Sequence, residues 1–355
     1  MDLEDLRSEI DALDAQIVKL LRDRAEVAQR IGHLKAAREL PVYAPHREAD
    51  ILRRITGGQT SPFTREALVA IYVQIISACR ALERPIRVAY LGPEFSWTHL
   101  AARKHLGAGC DFVPVPSIED TFSAVEKRHC DYGVVPIENS IEGVVTPTLD
   151  RFVSSNLRIS GELYYDIRHT LGAKCALGQV RRIVSFSQPL AQCRGWIREH
   201  LPNAEVIQAG SSSAAAHLAA AESDLAAISS KEAALEAGLS ILAENIGDQP
   251  LNRTRFLVLG LSDCAPGHQD KTTILFVCDH QPGALSRALQ PLAEHGVNLT
   301  MIQSRPARDR SWEYVFFADF QGHRDSPQAR RALEGLRQNC HLVKVLGSYP
   351  VAPTD

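Results

Sequence analysis

An arginine interrupts the apolar stripe of a long N-terminal helix. Leucine and isoleucine recur at alternating steps of three and four from Leu3 to Leu20, and Val27 resumes the phase, which places residue 24 on the stripe. That residue is Arg24, and a cation on an apolar surface is costly unless it is paired. The position is therefore either part of an anion site or an arginine that sets helix register or extends its head group to solvent.

Other charged residues can contribute to such an anion site. Lys35 follows Arg24 by three helical turns and returns to the same face. Arg7 lies about 25 Å from Arg24 along the helix axis, so it can join the same pocket only from an antiparallel second copy of the chain. Arg47 and Glu48 add charge from a second helix. Several cations in one pocket suit an anionic ligand.

Polar motifs also stand at strand ends in the middle of the chain. Glu138, Asn139 and Ser140 end one apolar run, and the segment 252–256 (N-R-T-R-F) lies at the edge of another. Ligands of α/β sheets bind at the carboxyl ends of strands. The three serines 211–213 precede a helix, so their hydroxyls and the first helical N–H groups suit a carboxylate. A helix cap with an acid in its first turn is the simpler alternative for 138–140.

Three segments must position these residues. Residues 1–84 show only helical periodicity, with helices expected over 3–34, over 45–55 before the stop at 56–58, and from Ser61-Pro62 to Glu83. Residues 86–262 alternate strands and helices, which favours mostly parallel strands in one sheet or two lobes. Strands are expected at 86–91, 112–115, 132–137, 182–186, 205–208, 225–228 and 256–259, and helices at 117–127, 190–200 and 213–221.

The last segment, residues 271–350, follows the βαββαβ order of a ferredoxin-like α+β domain. Its expected strands are 272–278, 297–304, 312–320 and 342–349, and its expected helices are 283–295 and 327–339. The chain is thus predicted to be multidomain, with linkers near Arg84-Pro85 and over 261–270.

Bulk properties exclude several classes of protein. The formal net charge of −3 gives no basic excess for nucleic acid, and no apolar run reaches the length of a membrane span. The acidic, amphipathic N-terminus is unlike a signal peptide. Eight scattered cysteines without a C-x-x-C pair indicate structural thiols in a reducing cytoplasm. No metal-ligand spacing is present, and we expect no cofactor.

The first segment resembles the all-helical class of chorismate mutase. The resemblance covers residues 1–84 and rests on the stretches 6–14, 20–35, 46–48 (H-R-E) and 75–83 (I-I-S-A-C-R-A-L-E). It implies an intertwined dimer in which Arg7 of one chain and Arg24 of the other hold the two carboxylates of chorismate, while Lys35 donates to the ether oxygen. The remaining implied chorismate-binding residues are Arg47, Glu48, Cys79 and Glu83.

Glu83 carries a prediction of its own. The resemblance puts it beside the ether oxygen, where a carboxylate would repel the charge that develops during the rearrangement. We therefore expect burial to keep Glu83 protonated. One departure from the family pattern is Ala44, where some members have an acidic residue.

The second segment resembles prephenate dehydratase. The resemblance covers 86–262 and rests on VVPIENS-x-EG at 134–143 together with N-x-TRF at 252–256. It implies two α/β lobes like those of periplasmic binding proteins, with prephenate in the cleft and Thr254 as the catalytic residue, which we expect to donate a hydrogen bond to the leaving hydroxyl. The residues implied to bind prephenate are Glu138, Asn139, Ser140, Ser211, Ser212, Ser213, Thr254, Arg255 and Phe256.

Two loops of this segment depart from the family pattern. The first loop has Phe95 where relatives have glycine and Trp97 where they have phenylalanine, and Phe186 stands where they have histidine. Residue 141 is Ile rather than the frequent Thr. These departures predict a cleft reshaped around aromatic rings.

The third segment resembles the ACT regulatory domain. The resemblance rests on two motifs, 283–286 and 303–306, each altered at one position by Ser286 and Gln303. It implies that phenylalanine binds near both motifs and inhibits the enzyme. The implied effector-binding residues are Gly283, Ala284, Leu285, Ser286, Gln303, Ser304, Arg305 and Pro306.

The predicted function is a bifunctional enzyme of phenylalanine biosynthesis. It would convert chorismate to prephenate and prephenate to phenylpyruvate, with phenylalanine as effector and a homodimer or higher homo-oligomer as the assembly. The alternatives are a non-catalytic amino-acid sensor, an enzyme that keeps only the mutase activity, and a dehydratase that prefers arogenate. Feeding chorismate and following prephenate and phenylpyruvate separately discriminates among most of these.

Overall fold

The computed structural model describes residues 2–57, 62–306 and 314–352 and divides the chain into two compact units. One unit comprises residues 1–87 and 103–111, and the other comprises 88–102 and 112–355. The predictions that concern Gly58, Ser61 and Trp312 lie outside the described residues. No helix within the described ranges combines the length and the apolarity needed to cross a bilayer.

The secondary structure follows the predicted order. The helices are α1 Leu3–Ala37, α2 Pro45–Thr56, α3 Arg65–Glu83, α4 Trp97–Leu106, α5 Ile118–Glu126, α6 Thr146–Ser154, α7 Ser187–Gln192, α8 Arg194–His200, α9 Ser212–Ala220, α10 Lys231–Glu236, α11 Ala284–Glu294 and α12 Pro327–Gln338. The strands are β1 Arg87–Leu91, β2 Asp111–Val115, β3 Tyr132–Asn139, β4 Gly143–Val144, β5 Arg158–Asp166, β6 Thr170–Ala173, β7 Arg182–Ser185, β8 Glu205–Gln208, β9 Leu225–Ser229, β10 Ser240–Glu244, β11 Arg253–Gly260, β12 Asp270–Val277, β13 Leu299–Pro306, β14 Tyr314–Gln321 and β15 Leu342–Pro350.

The helical unit consists of α1, α2, α3 and the segment 103–111. The predicted long first helix is confirmed, and Asp2 and Asp5 cap it reciprocally at the N-terminus. The third helix is predicted to begin at Ser61-Pro62, whereas among the described residues α3 begins at Arg65, where the Thr64 hydroxyl accepts from the Ala67 N–H. A better cap three residues later therefore overrides the serine-proline signal.

The apolar stripe of α1 is exposed within one chain. Each of its aliphatic residues keeps at least 41% of its surface accessible, and they are Leu3, Leu6, Ile10, Leu13, Ile17, Leu20, Val27, Ile31 and Leu34. The helix packs against α3 only near its C-terminal end, where Ala28 and Gly32 are buried. A stripe of this length on a helix about 50 Å long is typical of a surface that another helix covers.

The two-lobed unit contains two sheets, which resolves the choice between one sheet and two lobes. The first lobe has the order β2-β1-β3-β11-β5, with β4 beside β3, and the second has β10-β6-β9-β7-β8. The expectation of mostly parallel strands is wrong. Strand β11 runs antiparallel to its neighbours β3 and β5, and β6 runs antiparallel to β9 and β10. The parallel pairs are β1 with β3, β7 with β8 and β7 with β9.

Two crossover segments join the lobes, 167–169 and 245–252. They bond to each other, with Ile167 N–H donating to Asn252 O at 2.7 Å and Ile246 N–H donating to His169 O at 3.0 Å. The flanking strands β5, β6 and β10 were not predicted, and the helix predicted over 190–200 is broken at Cys193 into α7 and α8. The chain passes between the lobes at this paired hinge.

The C-terminal segment forms the predicted βαββαβ domain. Its antiparallel sheet has the order β13-β14-β12-β15, and α11 and α12 pack on one face. The other face packs on the first lobe, and Gly347 of β15 approaches the backbone of Ile159 so closely that any Cβ there would overlap it. The core of the first lobe is therefore continuous with this sheet.

Candidate functional sites

In the helical unit, a glycine brings two functional residues together. A Cβ at Gly32 would lie 2.9 Å from Glu83 Cβ, so α1 and α3 cross at the closest distance a side chain permits. One turn later Lys35 Nζ lies 2.9 Å from Glu83 Oε2 and donates to Val42 O at 2.8 Å. This contact joins α1 to α3 at the proposed site, and the expectation that Glu83 is protonated stays a prediction.

Glu48 lies in the same neighbourhood but is held by an arginine that the sequence did not single out. Arg80, which is 4% exposed, donates to Glu48 Oε1 at 2.7 Å. Burial raises the pKa of the Glu48 carboxyl, and the Arg80 guanidinium opposes that rise. Lys35 and Glu83 also act on Glu48 through space. Lys35, Glu48 and Glu83 therefore form one electrostatic group.

The other predicted cations are not brought to this group within one chain. Arg7 is exposed and pairs with Glu4 in its own helical turn, while Arg47 is also exposed. Arg24 is half-buried on the apolar stripe of α1, and Cys79 is buried on α3. One chain thus supplies part of the predicted pocket.

In the two-lobed unit, Asn139 is the centre of a hydrogen-bond network. Its amide nitrogen donates to Asn252 Oδ1 and to Thr254 Oγ1, both at 2.8 Å, and its amide oxygen accepts from the N–H groups of Ile141 and Glu142, both at 3.0 Å. All four hydrogen-bonding positions of the amide are used. If the Asn139 amide were flipped, its NH₂ group would face the N–H groups of Ile141 and Glu142. The network itself therefore fixes which way the amide points.

This arrangement assigns a direction to the Thr254 hydroxyl. Because Thr254 Oγ1 accepts from Asn139, its own proton remains to be donated to a third group. Thr254 is 8% exposed and Tyr165 is its direct cross-strand neighbour on the same face of the sheet. A buried hydroxyl oriented in this way can donate to a leaving oxygen.

The network continues across the lobes through residues that the sequence analysis did not commit to. Gln192 of the second lobe accepts from Asn252 at 2.9 Å and donates to Glu142 at 3.0 Å, and it pairs with His169 Nε2 at 2.8 Å. Burial lowers the pKa of His169, so its ring is neutral near pH 7 and its unpaired Nδ1 is an acceptor. We call Asn139, Thr254, Asn252, Gln192 and His169 the cleft network.

An aromatic wall stands beside the cleft network. The Trp97 ring lies 6.2 Å from that of Tyr165 and 5.8 Å from that of His169, measured between ring centroids. Burial raises the pKa of Tyr165 to about 12, so its hydroxyl stays protonated. The Phe95 ring packs on the core of the second lobe. The reshaping of the cleft around Phe95 and Phe186 stays a prediction.

The three serines begin a helix of the second lobe, as predicted. The Ser211 hydroxyl caps α9 by accepting from the Ala214 N–H at 3.0 Å. Ser213 is 2% exposed and its hydroxyl has no hydrogen-bond partner among the described residues. A buried hydroxyl without a partner beside a helix N-terminus suits an anionic ligand group.

Arg255 does not lie with Thr254. Adjacent residues of a strand point to opposite faces, and Arg255 extends from β11 into the interface with the C-terminal domain. It pairs there with Glu162 of β5 at 2.8 Å and with Asp319 of β14 at 2.7 Å, and it donates to the Tyr349 hydroxyl at 3.0 Å. Lys271 donates to the same Glu162. The prediction that Arg255 binds prephenate directly conflicts with this buried ion-pair network.

Three other predicted residues of this site also differ from Thr254 in their surroundings. Glu138 is the cross-strand neighbour of Arg255 and therefore shares its face. Phe256 is 1% exposed, in the core. Ser140 is exposed and its hydroxyl accepts from the Arg253 N–H at 3.0 Å, which ties two loops together.

The two C-terminal motifs lie at one edge of their sheet. Strands β12 and β13 both run antiparallel to β14, so their carboxyl ends lie at the same edge of the sheet. Residues 283–286 follow β12, and residues 303–306 end β13. Gly283 has φ +77°, a conformation that favours glycine. Arg305 is already paired with Asp150 of α6 at 3.1 Å.

Comparison with known families agrees with this division of the chain. Profiles of three families match: chorismate mutase type II at residues 6–84, prephenate dehydratase at 88–263 and the ACT domain at 272–338. The bifunctional chorismate mutase/prephenate dehydratase of Aquifex aeolicus (strain VF5) is 44% identical over 99% of this chain and 98% of its own. The chain belongs to the bifunctional chorismate mutase/prephenate dehydratase family.

Solved structures resemble the dehydratase and ACT regions together. The prephenate dehydratase from Arthrobacter aurescens, solved in complex with L-Phe, is 35% identical with a TM-score of 0.70 and covers 75% of this chain and 90% of its own. A protein described as GqqA, a novel type of quorum quenching acylase, is 30% identical with a TM-score of 0.69 over 75% of this chain and 98% of its own.

As a member of this family, the chain is both an isomerase and a lyase of phenylalanine biosynthesis. It rearranges chorismate to prephenate and converts prephenate to phenylpyruvate with loss of carbon dioxide and the ring hydroxyl. Within the described ranges, no group of three His, Cys, Asp or Glu side chains is arranged to hold a metal ion.

Several site residues could not be found from sequence alone. Asn252 was within a recognised motif and Gln192 within a helix similar to one in the family, which are weak signals. Trp97 was noticed only as a departure from the family pattern, and His169 carried no signal, since only the folded chain brings the crossover segment, α4 and β11 together.

Proposed function

We propose that the dehydratase reaction takes place at the cleft network, with Thr254 as hydrogen-bond donor to the leaving hydroxyl of prephenate. The supporting observation is that Asn139 donates to Thr254 Oγ1 at 2.8 Å, which leaves the threonine proton available. Ring aromatisation drives the loss of carbon dioxide, so the leaving oxygen needs only stabilisation as its bond breaks.

Prephenate is a dianion and needs anchors in the cleft. We propose that one carboxylate meets the Ser211–Ser213 end of α9 and that the ring lies against the Trp97 wall. The unpartnered hydroxyl of Ser213 supports the first assignment. Asn139 lines the site at the end of β3 and Ser140 ties its loops together, while Glu138, Arg255 and Phe256 support it from the opposite face of the sheet and from the core.

Substitutions at Thr254 test this proposal. Replacing it with Val removes the hydroxyl at nearly constant volume and should cost about 2–4 kcal/mol of transition-state stabilisation, seen as lower dehydratase kcat. Thr254→Ser keeps the hydroxyl and should retain much more activity. Equal turnover by the Val and Ser proteins, with mutase activity as internal control, would refute the role of the hydroxyl.

For the mutase reaction, we propose a site shared between two antiparallel copies of α1. Lys35 donates to the ether oxygen of chorismate. Arg24 of the same chain and Arg7 of the second copy bind its two carboxylates. Arg47, Glu48, Cys79 and Glu83 complete the pocket, and Glu83 assists when it carries a proton. The exposed apolar stripe of α1 supports the pairing.

Regulation and organisation complete the proposal. Phenylalanine binds the ACT domain near 283–286 and 303–306 and inhibits the dehydratase, because it binds the inhibited state better than the active one. The solved relative in complex with L-Phe supports this ligand. We propose domain boundaries of 1–84, 86–262 and 271–350, a homodimer or larger homo-oligomer, and a cytoplasmic location.

A further inference from the structure

The helical unit includes a segment that the family profiles assign to the dehydratase. Residues 103–111 fall within the dehydratase match at 88–263, yet they belong to the compact helical unit. They include the last turn of α4 and the loop that leads to β2. The mutase match ends at residue 84, so any contribution of this segment to the mutase site comes from outside that match.

The segment packs on α3 through two glycines. A Cβ at Gly107, whose φ is +73°, would overlap the Ser77 side chain, and a Cβ at Gly109 would lie 2.7 Å from Ser77 O. The Gly109 N–H donates to Ser77 Oγ at 2.9 Å, and the Ala108 N–H donates to Gln74 Oε1 at 3.0 Å. The backbone of this loop therefore lies directly on the helix, and the contact is specific and close.

Arg80 is the buried side chain at the centre of this contact. One of its terminal nitrogens donates to Glu48 Oε1 at 2.7 Å. The other donates to the carbonyl oxygen of Leu106 and lies 3.5 Å from Cys110 Sγ. The guanidinium also lies over the Tyr43 ring at 5.3 Å, and the Tyr43 hydroxyl is 3.0 Å from His105 Nε2.

We infer that Arg80 is a positioning residue of the mutase site. It holds Glu48 on α2 through a planar guanidinium whose other nitrogen is fixed by residues 106–110, so the dehydratase stretch of the sequence completes the mutase site. A guanidinium can fix two acceptors at once because its donors have a rigid fork geometry, which a lysine lacks. This inference rests on the proposed place of Glu48 in the mutase pocket.

The charges around Glu48 give the inference a pH signature. Burial raises the pKa of the Glu48 carboxyl, Arg80 on α3 and Lys35 on α1 lower it, and Glu83 on α3 raises it. His105 and Cys110 face Arg80 rather than Glu48. Without Arg80, the pKa of Glu48 should rise further, and Glu48 should carry a proton at a pH where the wild-type residue is a carboxylate. The resemblance to chorismate mutase puts Glu48 near the hydroxyl of chorismate, and a protonated carboxyl is a weaker acceptor for that hydroxyl.

The test compares full-length variants by mutase kcat/KM from pH 6 to pH 9, with dehydratase activity as internal control. Arg80→Gln should lose at least about tenfold in mutase kcat/KM at the acid end of this range and regain part of the loss towards the alkaline end, because a higher pKa leaves more of Glu48 protonated in acid. The double variant with Glu48→Gln should lose this pH dependence. Gln74→Ala is the matched control, since Gln74 bonds the same segment from α3 without touching Glu48, and its profile should parallel that of the wild type.

Several outcomes would overturn the inference. One is an Arg80→Gln pH profile that runs parallel to the wild-type profile although Glu48→Gln alone strongly lowers mutase kcat/KM. The proposed mutase pocket would then stand, and only the positioning role of Arg80 would fall. Another is a Gln74→Ala protein whose mutase kcat/KM rises with pH as in Arg80→Gln. The pH dependence would then come from weaker packing of the helical unit rather than from Glu48. A Glu48→Gln protein with full mutase activity would overturn both the pocket assignment and the inference.

Arg80→Lys keeps the inference testable if the Gln variant does not fold. One ammonium cannot hold Glu48 and Leu106 O in the same geometry, so mutase kcat/KM should fall several-fold while dehydratase activity persists. The pH profile should stay close to that of the wild type, since a cation remains beside Glu48. Unchanged mutase kinetics in this variant would contradict the positioning role.

Discussion

The mutase and dehydratase sites differ in how much of each one chain assembles. In the dehydratase cleft, Asn139 uses all its hydrogen-bonding positions on residues of its own chain, and the network extends to Gln192 and His169. In the helical unit, Lys35 and Glu83 meet, but Arg7 lies far along α1, beside the exposed apolar stripe. A satisfied polar network indicates a site complete in one chain, whereas an uncovered stripe indicates one that needs a second copy.

Adding charge to the stripe should have the largest effect. Leu13→Asp puts a carboxylate on a surface that the second copy would bury, and we expect at least a ~100-fold loss of mutase activity because an unpaired charge is costly to desolvate. Dehydratase activity should be retained. Gln16→Asp, the same change off the stripe, is the control. Mutase activity that survives Leu13→Asp would mean that one chain forms the whole mutase site.

Reversing the donor at Asn139 should be nearly as damaging to the dehydratase. In Asn139→Asp, the Thr254 hydroxyl would donate to the new carboxylate rather than to prephenate, and dehydratase kcat should fall about 100-fold, as for a lost oxyanion donor. Ser140→Ala changes a neighbouring side chain that only ties loops together, so it should keep most activity. If Asn139→Asp and Ser140→Ala have similar kinetics, the assigned direction of the Thr254 proton is wrong.

A smaller predicted effect is a loss of stability of the helical unit at acid pH. Burial and the Arg80 charge lower the pKa of His105 from 6.5 to about 4. The ring is neutral in the folded protein and gains a proton more readily when unfolded, so its contribution to stability is complete above pH 6.5 and is lost as the pH falls towards 4. We expect about 2 kcal/mol of lost stability in the helical unit, less than full burial would give because the ring is partly exposed.

Thermal unfolding followed by far-UV circular dichroism at several pH values measures this loss. His105→Gln keeps an acceptor for Tyr43 but does not titrate, so its stability should depend less on pH over the same range. Equal pH dependence of the wild-type and Gln proteins would assign the effect to other groups.

The periodicity of the sequence predicted those features that depend on residues close together in the chain. The apolar stripe of α1, the interrupting Arg24 and the βαββαβ order all follow from local spacing, and the structure has them. The same reasoning applied to strand β11 would have separated Thr254 from Arg255, since adjacent strand residues face opposite sides. The motif was instead treated as one unit, so Arg255 was grouped with Thr254 among the residues expected to bind prephenate.

Other features depend on parts of the chain that are distant in sequence. The antiparallel direction of β11 is set by its pairing with β3 and β5, more than eighty residues away, and local patterns carry no record of it. Gln192 and His169 reach the site only because the two crossover segments bond to each other. Arg80 reads as an ordinary helical arginine until the glycines of 103–111 pack against α3.

Mixing inactive copies tests the contrast between the two sites most directly. Arg7→Ala and Lys35→Ala chains with different tags would be co-expressed, and mutase activity would be measured on protein that carries both tags and on each parent. In a two-copy site, one of the two pockets of each mixed dimer contains both intact residues, so the doubly tagged protein should show about half of wild-type activity and the unfractionated mixture about a quarter.

The dehydratase pair Thr254→Val and Asn139→Asp serves as the comparison in the same experiment. Both residues belong to one chain's cleft, so mixing should recover no dehydratase activity beyond the average of the parents. Recovery of mutase activity without recovery of dehydratase activity is the predicted result. The absence of mutase recovery in purified mixed dimers, or recovery of dehydratase activity, would contradict the account.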